Sequence, residues 1–352
     1  MTTPLRVLVA CPRSGNPYVS ELVRSLNERP GLTCVQSHKA FLDDDTLDYD
    51  VVHFQWPEAI FGWNADCTAK GLQQLNERLS YCRTRGVQLV GTVHNESPHV
   101  LANALSARLY DCVYRNLDAF VHLGHASIPA MKATGKATHS ARHCVIPHGN
   151  YDVFRALSSG EAIDITKRKR FTLLCFGAVR KPAEVKLICR VADALAALGG
   201  DLVIAGRINS GSRRKLRYYQ MQAPLFVRRN IRVIPGKIPD ERVAAIVSDS
   251  SALLIPRIDT LNSGNVALGF TFGKVVMGPD IGVIGEELSR RGNPVFTPAD
   301  HGSLKAAVLD TIRLANTSLG AENREYAATE LAWENVATQH EDLYRSLLAR
   351  AL

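Results

Sequence analysis

The sequence predicts an α/β protein made of two Rossmann-like, doubly wound domains that face a cleft. Three observations carry this expectation. Apolar runs of strand length alternate with segments of helical periodicity over almost the whole chain, as in βα units around parallel sheets. The alternation breaks once, in "YDVFRALSSGEAIDITKRKR" at 151–170, and then starts afresh. A chain of 352 residues also exceeds what one ordinary core organises, so two domains of similar size are expected.

The first half offers five strand candidates, "LRVLVAC", "DVVHFQ", "VQLVGTV", "DAFVHLG" and "HCVIPHG". Helical segments separate them, such as 103–117, where Leu105, Leu109, Cys112 and Val113 recur at helical spacing. The second half reads "FTLLCFG", "DLVIAG", "IRVIPG", "ALLIP", "VVMGP" and "PVFTP". Beyond Asp300 only helical patterns remain, ending in "LAWENVATQHEDLYRSLLARAL". The expected division is a first domain at 1–155, a linker at 156–170, a second domain at 171–330 and, at 331–352, a helix that crosses back to the first domain. Doubly wound sheets bind ligands outside the carboxyl ends of their strands, so the residues that follow each strand are the candidates for chemistry.

Composition narrows the class. With 46% apolar and 22% charged residues the chain reads as globular, and no apolar run approaches the roughly 20 residues of a membrane-spanning helix. The start "MTTPLRVLVACPRSG" turns after a strand-length run and lacks the layout of a signal peptide, so a soluble cytoplasmic protein is expected. Eight cysteines are scattered without CxxC or Cys/His ligand spacing, which points to neither a zinc site nor a disulfide framework. The net charge of +8 suits nucleic acid, anionic lipid or a phosphorylated substrate alike. Much of it is local, in "KRKR" at 167–170, in "RRKLR" at 213–217 and at Arg228, Arg229 and Arg232. Such runs are solvated faces or contacts with an anionic membrane, where each basic residue contributes about 1 kcal/mol. The basic runs lack interleaved aromatics apart from Tyr218 and Tyr219, and no RNP, zinc-finger or helix-turn-helix pattern is present, so no nucleic-acid partner is expected.

Gly15 lies in the turn after the first strand, followed by Asn16 and by Pro17 at the first turn of a helix. A glycine there lets the backbone approach a ligand, and the helix N–H groups favour an anion, but no GxGxxG is present. "DVVHFQWPE" and "GTVHNESPH" place His53, Glu58, His94, Asn95, Glu96 and His99 near strand ends. His53 reads as structural. His94 is suited to proton transfer or to a hydrogen bond with a sugar hydroxyl. "VIPHGNYDVF" adds His148 beside a Gly149 turn that is a hinge or a contact. In the second half, "CFGAVRKPAEVK" places Arg180, Lys181 and Lys186 at the start of a helix, a cationic group suited to a diphosphate. Ser263, Gly264 and Asn265 precede another apolar helix whose backbone N–H groups and dipole suit a phosphate. "LDDDTLDYD" at 42–50 contains a DxD, but it precedes a strand and reads as a solvated loop.

Together, "GNPYVSEL", "DVVHFQWPE", "TVHNESPH", "IPHGNY", "FGAVR", "LNSGNVALGFTFGKVVMGP" and "WENVATQHEDLY" resemble, in order and over nearly the whole chain, the GT-B glycosyltransferases. The likeness is to the bacterial exopolysaccharide branch, above all the xanthan-type β-mannosyltransferases that use GDP-mannose and a polyprenyl-diphosphate-linked oligosaccharide. The chain is also similar to glycosyltransferase family 4. The resemblance implies an inter-domain active site, no metal and no cofactor beyond the nucleoside-diphosphate sugar, with a GDP-sugar favoured over a UDP-sugar. It implies that the second domain holds the nucleotide and the first domain the acceptor. Gly15 then looks like the glycine near the donor diphosphate, His94 like the active-site histidine, Arg180 like the diphosphate arginine, and Ser263, Gly264 and Asn265 like the phosphate loop. Lys181 and Lys186 join the donor set; Asn16, Glu58, Asn95 and His148 form the acceptor set.

Two departures stand out. Thr260 and Leu268 occupy the places of two glutamates in the larger retaining family, and Ala183 and Glu184 those of a lysine and a glycine in the xanthan-type pattern. The expected reaction is hexosyl transfer, of mannose first with glucose or glucuronic acid as alternatives; inversion is favoured over retention, with Glu96 and His94 as base candidates and Glu58 third. The rival readings are a sugar-nucleotide epimerase of the same fold, a non-catalytic sugar-nucleotide binder and a nucleic-acid-binding protein. Peripheral attachment to the inner face of the cytoplasmic membrane goes with a lipid-linked acceptor. The oligomeric state stays open.

Overall fold

The computed structural model describes residues 4–13, 17–43, 46–63, 68–96, 104–158, 170–208 and 215–351. The chain forms two compact units, Met1–Gly149 with Glu330–Leu352 (unit 1) and Asn150–Thr329 (unit 2).

Unit 1 holds β1 (Leu5–Val9), β2 (Leu32–Gln36), β3 (Val51–Phe54), β4 (Gln88–Val93), β5 (Ala119–His122) and β6 (Arg142–Val145), in the order β2-β1-β3-β4-β5-β6. All pairs are parallel. Every residue of β3 and β5 is buried, as expected of strands covered on both faces. The sequence reading missed β2. As an edge strand, "LTCVQ" buries Leu32 and Cys34 and exposes Thr33, so it never builds the continuous apolar run that marks its neighbours.

Two helices from opposite ends of the chain cover one face of this sheet. Helix Pro17–Asn27 starts with proline, whose missing N–H costs nothing at a first helical position. Its buried Tyr18, Val19, Leu22 and Leu26 join Trp333, Val336, Ala337, Tyr344 and Leu347 of the last helix, Trp333–Ala351, in one core. The C-terminal helix thus packs back on the first sheet. Arg29 Nε donates to Glu341 Oε2 at 2.8 Å, and a Cβ on Gly149 would stand 2.3 Å from the Trp333 indole, so glycine permits this close approach.

Unit 2 holds β7 (Thr172–Phe176), β8 (Asp201–Gly206), β9 (Ile231–Pro235), β10 (Ala252–Leu254), β11 (Val275–Pro279) and β12 (Val295–Phe296). They are the six runs read from the sequence, and they pair in parallel in the order β12-β11-β10-β7-β8-β9. Counted from the unit's own first strand this is the Rossmann order, with its switch point between β7 and β10. Helix Asp152–Ala156, assigned to the first domain on sequence, belongs to unit 2. There Tyr151 N–H donates to Thr271 Oγ1 at 3.0 Å and Asn150 Nδ2 to the Ala327 carbonyl at 3.1 Å. The first expected boundary, at residue 155, therefore moves back to Gly149. Most of the expected linker lies outside the described residues. Among the described residues no helix is long and apolar enough to cross a membrane.

Candidate functional site

In unit 1 the sheet's switch point falls between β1 and β3. The chain leaves β3 through Gln55 and Trp56 into a short 3₁₀ helix, Pro57–Phe61, and leaves β4 through His94. These two exits meet. The Trp56 indole stacks on the His94 imidazole, ring centroids 4.0 Å apart and planes 16° apart. Gln55 Oε1 lies 2.9 Å from His94 Nε2, and the edge of Tyr18 meets the same imidazole at 5.2 Å. Gln55 is itself buried, with its Nε2 3.4 Å from His53 Nε2. An amide oxygen can only accept, so in this contact His94 Nε2 is the donor.

His53 is structural, as expected. It is fully buried, with Nδ1 2.7 Å from the Tyr344 hydroxyl and Nε2 2.8 Å from Thr92 Oγ1. Burial, then the neighbouring His340 and His94, hold its pKa well below the usual histidine value.

The other first-half candidates divide. Glu58 faces Tyr110, whose hydroxyl donates to Glu58 Oε2 at 2.6 Å; burial raises the carboxyl pKa against this bond. Tyr114 O–H donates to the Asn95 carbonyl at 2.8 Å, and Lys136 Nζ to the Glu96 carbonyl at 3.1 Å. Glu58 and the Asn95 backbone are thus tied to the helix Ala104–Tyr114, which makes them supports of the strand end. Glu96 sits half-buried two residues beyond His94. His148 packs against Tyr18 at 4.7 Å, with Nδ1 2.7 Å from the Gly149 carbonyl, and burial pushes its pKa down to about 4. Gly15, Asn16, His99 and two residues of the DxD stretch lie outside the described residues.

In unit 2 the loops after β7 and β10 flank the switch point. Arg180 ends the first of these loops and Arg257 lies in the second. Burial, then the charge of Arg257, lower the Arg180 pKa, while Glu184 opposes them. Two guanidinium groups that repel each other at a strand switch point suit a multivalent anion.

Glu184, the departure from the xanthan-type pattern, has a clear structural use. It is buried at the third position of helix Pro182–Ala197 and accepts the backbone N–H groups of Arg180, at 2.5 Å, and Lys181, at 3.2 Å. This is the acidic half of a capping box, and it fixes the loop that carries Arg180. Lys181 forms an ion pair with Asp259, both about half exposed, so its charge is largely satisfied within the unit. Lys186 is exposed on the second turn.

Ser263 caps helix Gly264–Thr271, its Oγ accepting the Asn265 N–H at 3.4 Å. The Asn265 side chain acts as a strut, Nδ2 donating to the Phe176 carbonyl at the end of β7 at 2.7 Å. It joins the two loops and is committed within the protein. Among the described residues no group of three or more His, Cys, Asp or Glu side chains could hold a metal.

Sequence reasoning overlooked Gln55, Trp56 and Arg257. Each lies within three residues of a strand's end, in "HFQWP" and "LLIPR", the same kind of position that singled out His94 and Arg180.

Solved structures share this fold over the whole chain. Sucrose-phosphate synthase from Thermosynechococcus elongatus aligns with a TM-score of 0.67 at 15% identity, covering 99% of this chain and 100% of that one. HepE from Anabaena, in complex with UDP and glucose, gives 0.64 at 15%, over 97% and 100%. AviGT4, a glycosyltransferase involved in avilamycin A biosynthesis, gives 0.60 at 19%, over 98% of each chain. The fold is therefore α/β of the GT-B type, with two Rossmann-like units. No protein-family model and no curated protein matches the chain.

Proposed function

We propose that this chain is a metal-independent, inverting glycosyltransferase that moves a hexose from a nucleoside-diphosphate sugar to a hydroxyl of a glycan acceptor. The observation that carries the reading is the placement of Arg180 and Arg257 on the two loops that flank the switch point of unit 2, the second of which runs into helix Gly264–Thr271. As the bond to the sugar breaks, negative charge develops on the departing diphosphate. Cations already fixed in place stabilise that charge without reorganising. Glu184 holds the Arg180 loop, while the Ser263 cap and the Asn265 strut hold the other.

Unit 1 supplies the base. His94, oriented by Gln55 and Trp56, accepts the proton of the attacking hydroxyl, and Glu96 is the second candidate. Glu58 and the Asn95 backbone position that strand end, and the half-buried His148 packs on Tyr18, which also meets His94. Fold likeness to enzymes named for sucrose phosphate and avilamycin, and to one holding UDP and glucose, supports a nucleotide-sugar donor.

For the donor we propose GDP-mannose, on the motif resemblance, and for the acceptor a polyprenyl-diphosphate-linked oligosaccharide of exopolysaccharide synthesis. Phe226 and Val227 are 66% and 75% exposed beside the exposed Arg229 and Arg232, which supports contact with an anionic membrane surface.

A donor screen that reads nucleotide release from GDP- and UDP-sugars, followed by the anomeric coupling of the product, tests the reading. GDP-mannose turnover that survives EDTA, with inversion at the anomeric carbon, is expected. Turnover abolished by chelation, or nucleotide-sugar epimerisation without transfer, overturns it.

A further inference from the structure

Trp63 is a large aromatic side chain that the fold leaves 41% exposed. Its backbone is left-handed, with φ of 65°, a conformation in which a bulky residue is an outlier and must be held by its surroundings. The hold is visible. The 3₁₀ helix Pro57–Phe61 ends as Gly62 N–H donates to the Ala59 carbonyl at 2.9 Å, and Gly62 takes φ of 69°, so two consecutive left-handed residues turn the chain. Beyond this turn the Trp63 indole meets Trp56 at 5.3 Å between centroids, with planes inclined by 51°. Trp56 in turn stacks on His94. A continuous series of rings therefore runs from an exposed indole to the imidazole at the end of β4. Trp63 is not part of the buried core cluster of its unit, and leaving part of it in water forgoes about 25 cal/mol for each Å² not buried.

We propose that Trp63, backed by Trp56, is a stacking platform for a pyranose ring of a glycan, next to His94. A pyranose has a flat apolar face of axial C–H groups that matches an indole in size, and a rim of hydroxyls that needs hydrogen-bonding partners. The platform meets both needs, because its flat face is apolar and two hydrogen-bonding residues adjoin Trp56: the half-buried Glu58, two residues further along the chain, and His94, whose imidazole stacks on the Trp56 indole. Glu58 also argues against an anionic lipid at this spot, since a lipid-facing indole is served by basic neighbours. The inference rests on assigning the acceptor to unit 1, and it adds the subsite that grips the sugar.

The test uses the full chain and a set of β-gluco-, α-manno- and galacto-oligosaccharides, with binding followed by calorimetry without any donor. The chain holds three tryptophans, so intrinsic fluorescence gives a second readout. Binding of at least one oligosaccharide is expected. Trp63→Ala should weaken it about tenfold or more while leaving nucleotide affinity and thermal midpoint unchanged, and Trp63→Tyr should restore most of it. Unchanged glycan affinity in Trp63→Ala overturns the platform, as does a wild type that binds none of the oligosaccharides. Loss of binding to phosphatidylglycerol vesicles in place of glycans would assign Trp63 to a membrane and overturn it equally. If Trp63→Ala weakens glycan binding but no nucleotide sugar is bound or consumed, the platform stands and the transferase reading falls.

Discussion

The hydroxyl of Tyr344 lies 2.7 Å from Nδ1 of His53, joining the last helix to the third strand across 291 residues of sequence. Both side chains are fully buried. Tyr344→Phe keeps the ring and deletes the partner, leaving a buried imidazole nitrogen unsatisfied. A loss of about 1–3 kcal/mol is expected, read as a lower urea midpoint. An unchanged midpoint would mean that the bond carries no net stability.

Gly149→Ala tests the close approach of Trp333. The added Cβ would stand 2.3 Å from the indole, so the last helix has to shift. Overpacking of this kind costs about 1–3 kcal/mol. The measurement is the thermal midpoint together with tryptophan fluorescence; Gly149→Ala with wild-type values for both would refute the tight fit.

Acid should destabilise the fold through its buried histidines. Burial lowers the pKa of His122 to about 3 and those of His148 and His340 to about 4, while the unfolded chain protonates near the ordinary 6.5. The unfolded state therefore binds more protons between these limits. Stability is fully present above about pH 6.5 and falls as the pH drops towards 4, by up to about 1.4 kcal/mol per pH unit for each histidine. Urea midpoints across this window check the slope, and His340→Leu should flatten it. A midpoint independent of pH would contradict the burial of neutral imidazoles.

At the candidate donor site, Arg180→Ala and Arg257→Ala should each lower turnover of the nucleotide sugar by about 100-fold or more with the fold intact. Glu184→Ala removes the acceptor of two backbone N–H groups and costs about 1 kcal/mol of stability. It should also raise the donor KM by loosening the Arg180 loop. Lys181→Ala should have a smaller effect, because Asp259 already pairs its charge. Near-normal kinetics in both arginine variants would remove the diphosphate assignment.

Much of the architecture was legible because it is local. Runs rich in apolar residues marked five strands of unit 1 and all six of unit 2, the edge strands β6, β9 and β12 among them. β2 escaped because "LTCVQ" exposes Thr33 and ends on Gln36, which leaves too short an apolar run to stand out. Strand ends were equally visible, and with them His94 and Arg180.

The roles of side chains at those ends were not visible in the same way. Glu184 read as a departure from a pattern and caps its helix; Asn265 read as part of a phosphate loop through its backbone, and its side chain is a strut to the end of β7. Glu58 and Asn95 read as acceptor contacts, and nothing in the sequence signalled that Tyr110 bonds the Glu58 carboxylate or that Tyr114 bonds the Asn95 backbone carbonyl.

By itself, then, the sequence determined the alternation of strands and helices, the two-domain plan and the strand ends where chemistry can sit. Periodicity and apolar run length are properties of neighbouring residues, and they are enough for that. The tertiary structure decided which side chains are committed within the protein and which face outward: Gln55 against His94, Trp56 between His94 and Trp63, Arg257 beside Arg180. Those partners come from separate loops, and only the packing of the parallel sheets brings them within reach of one another.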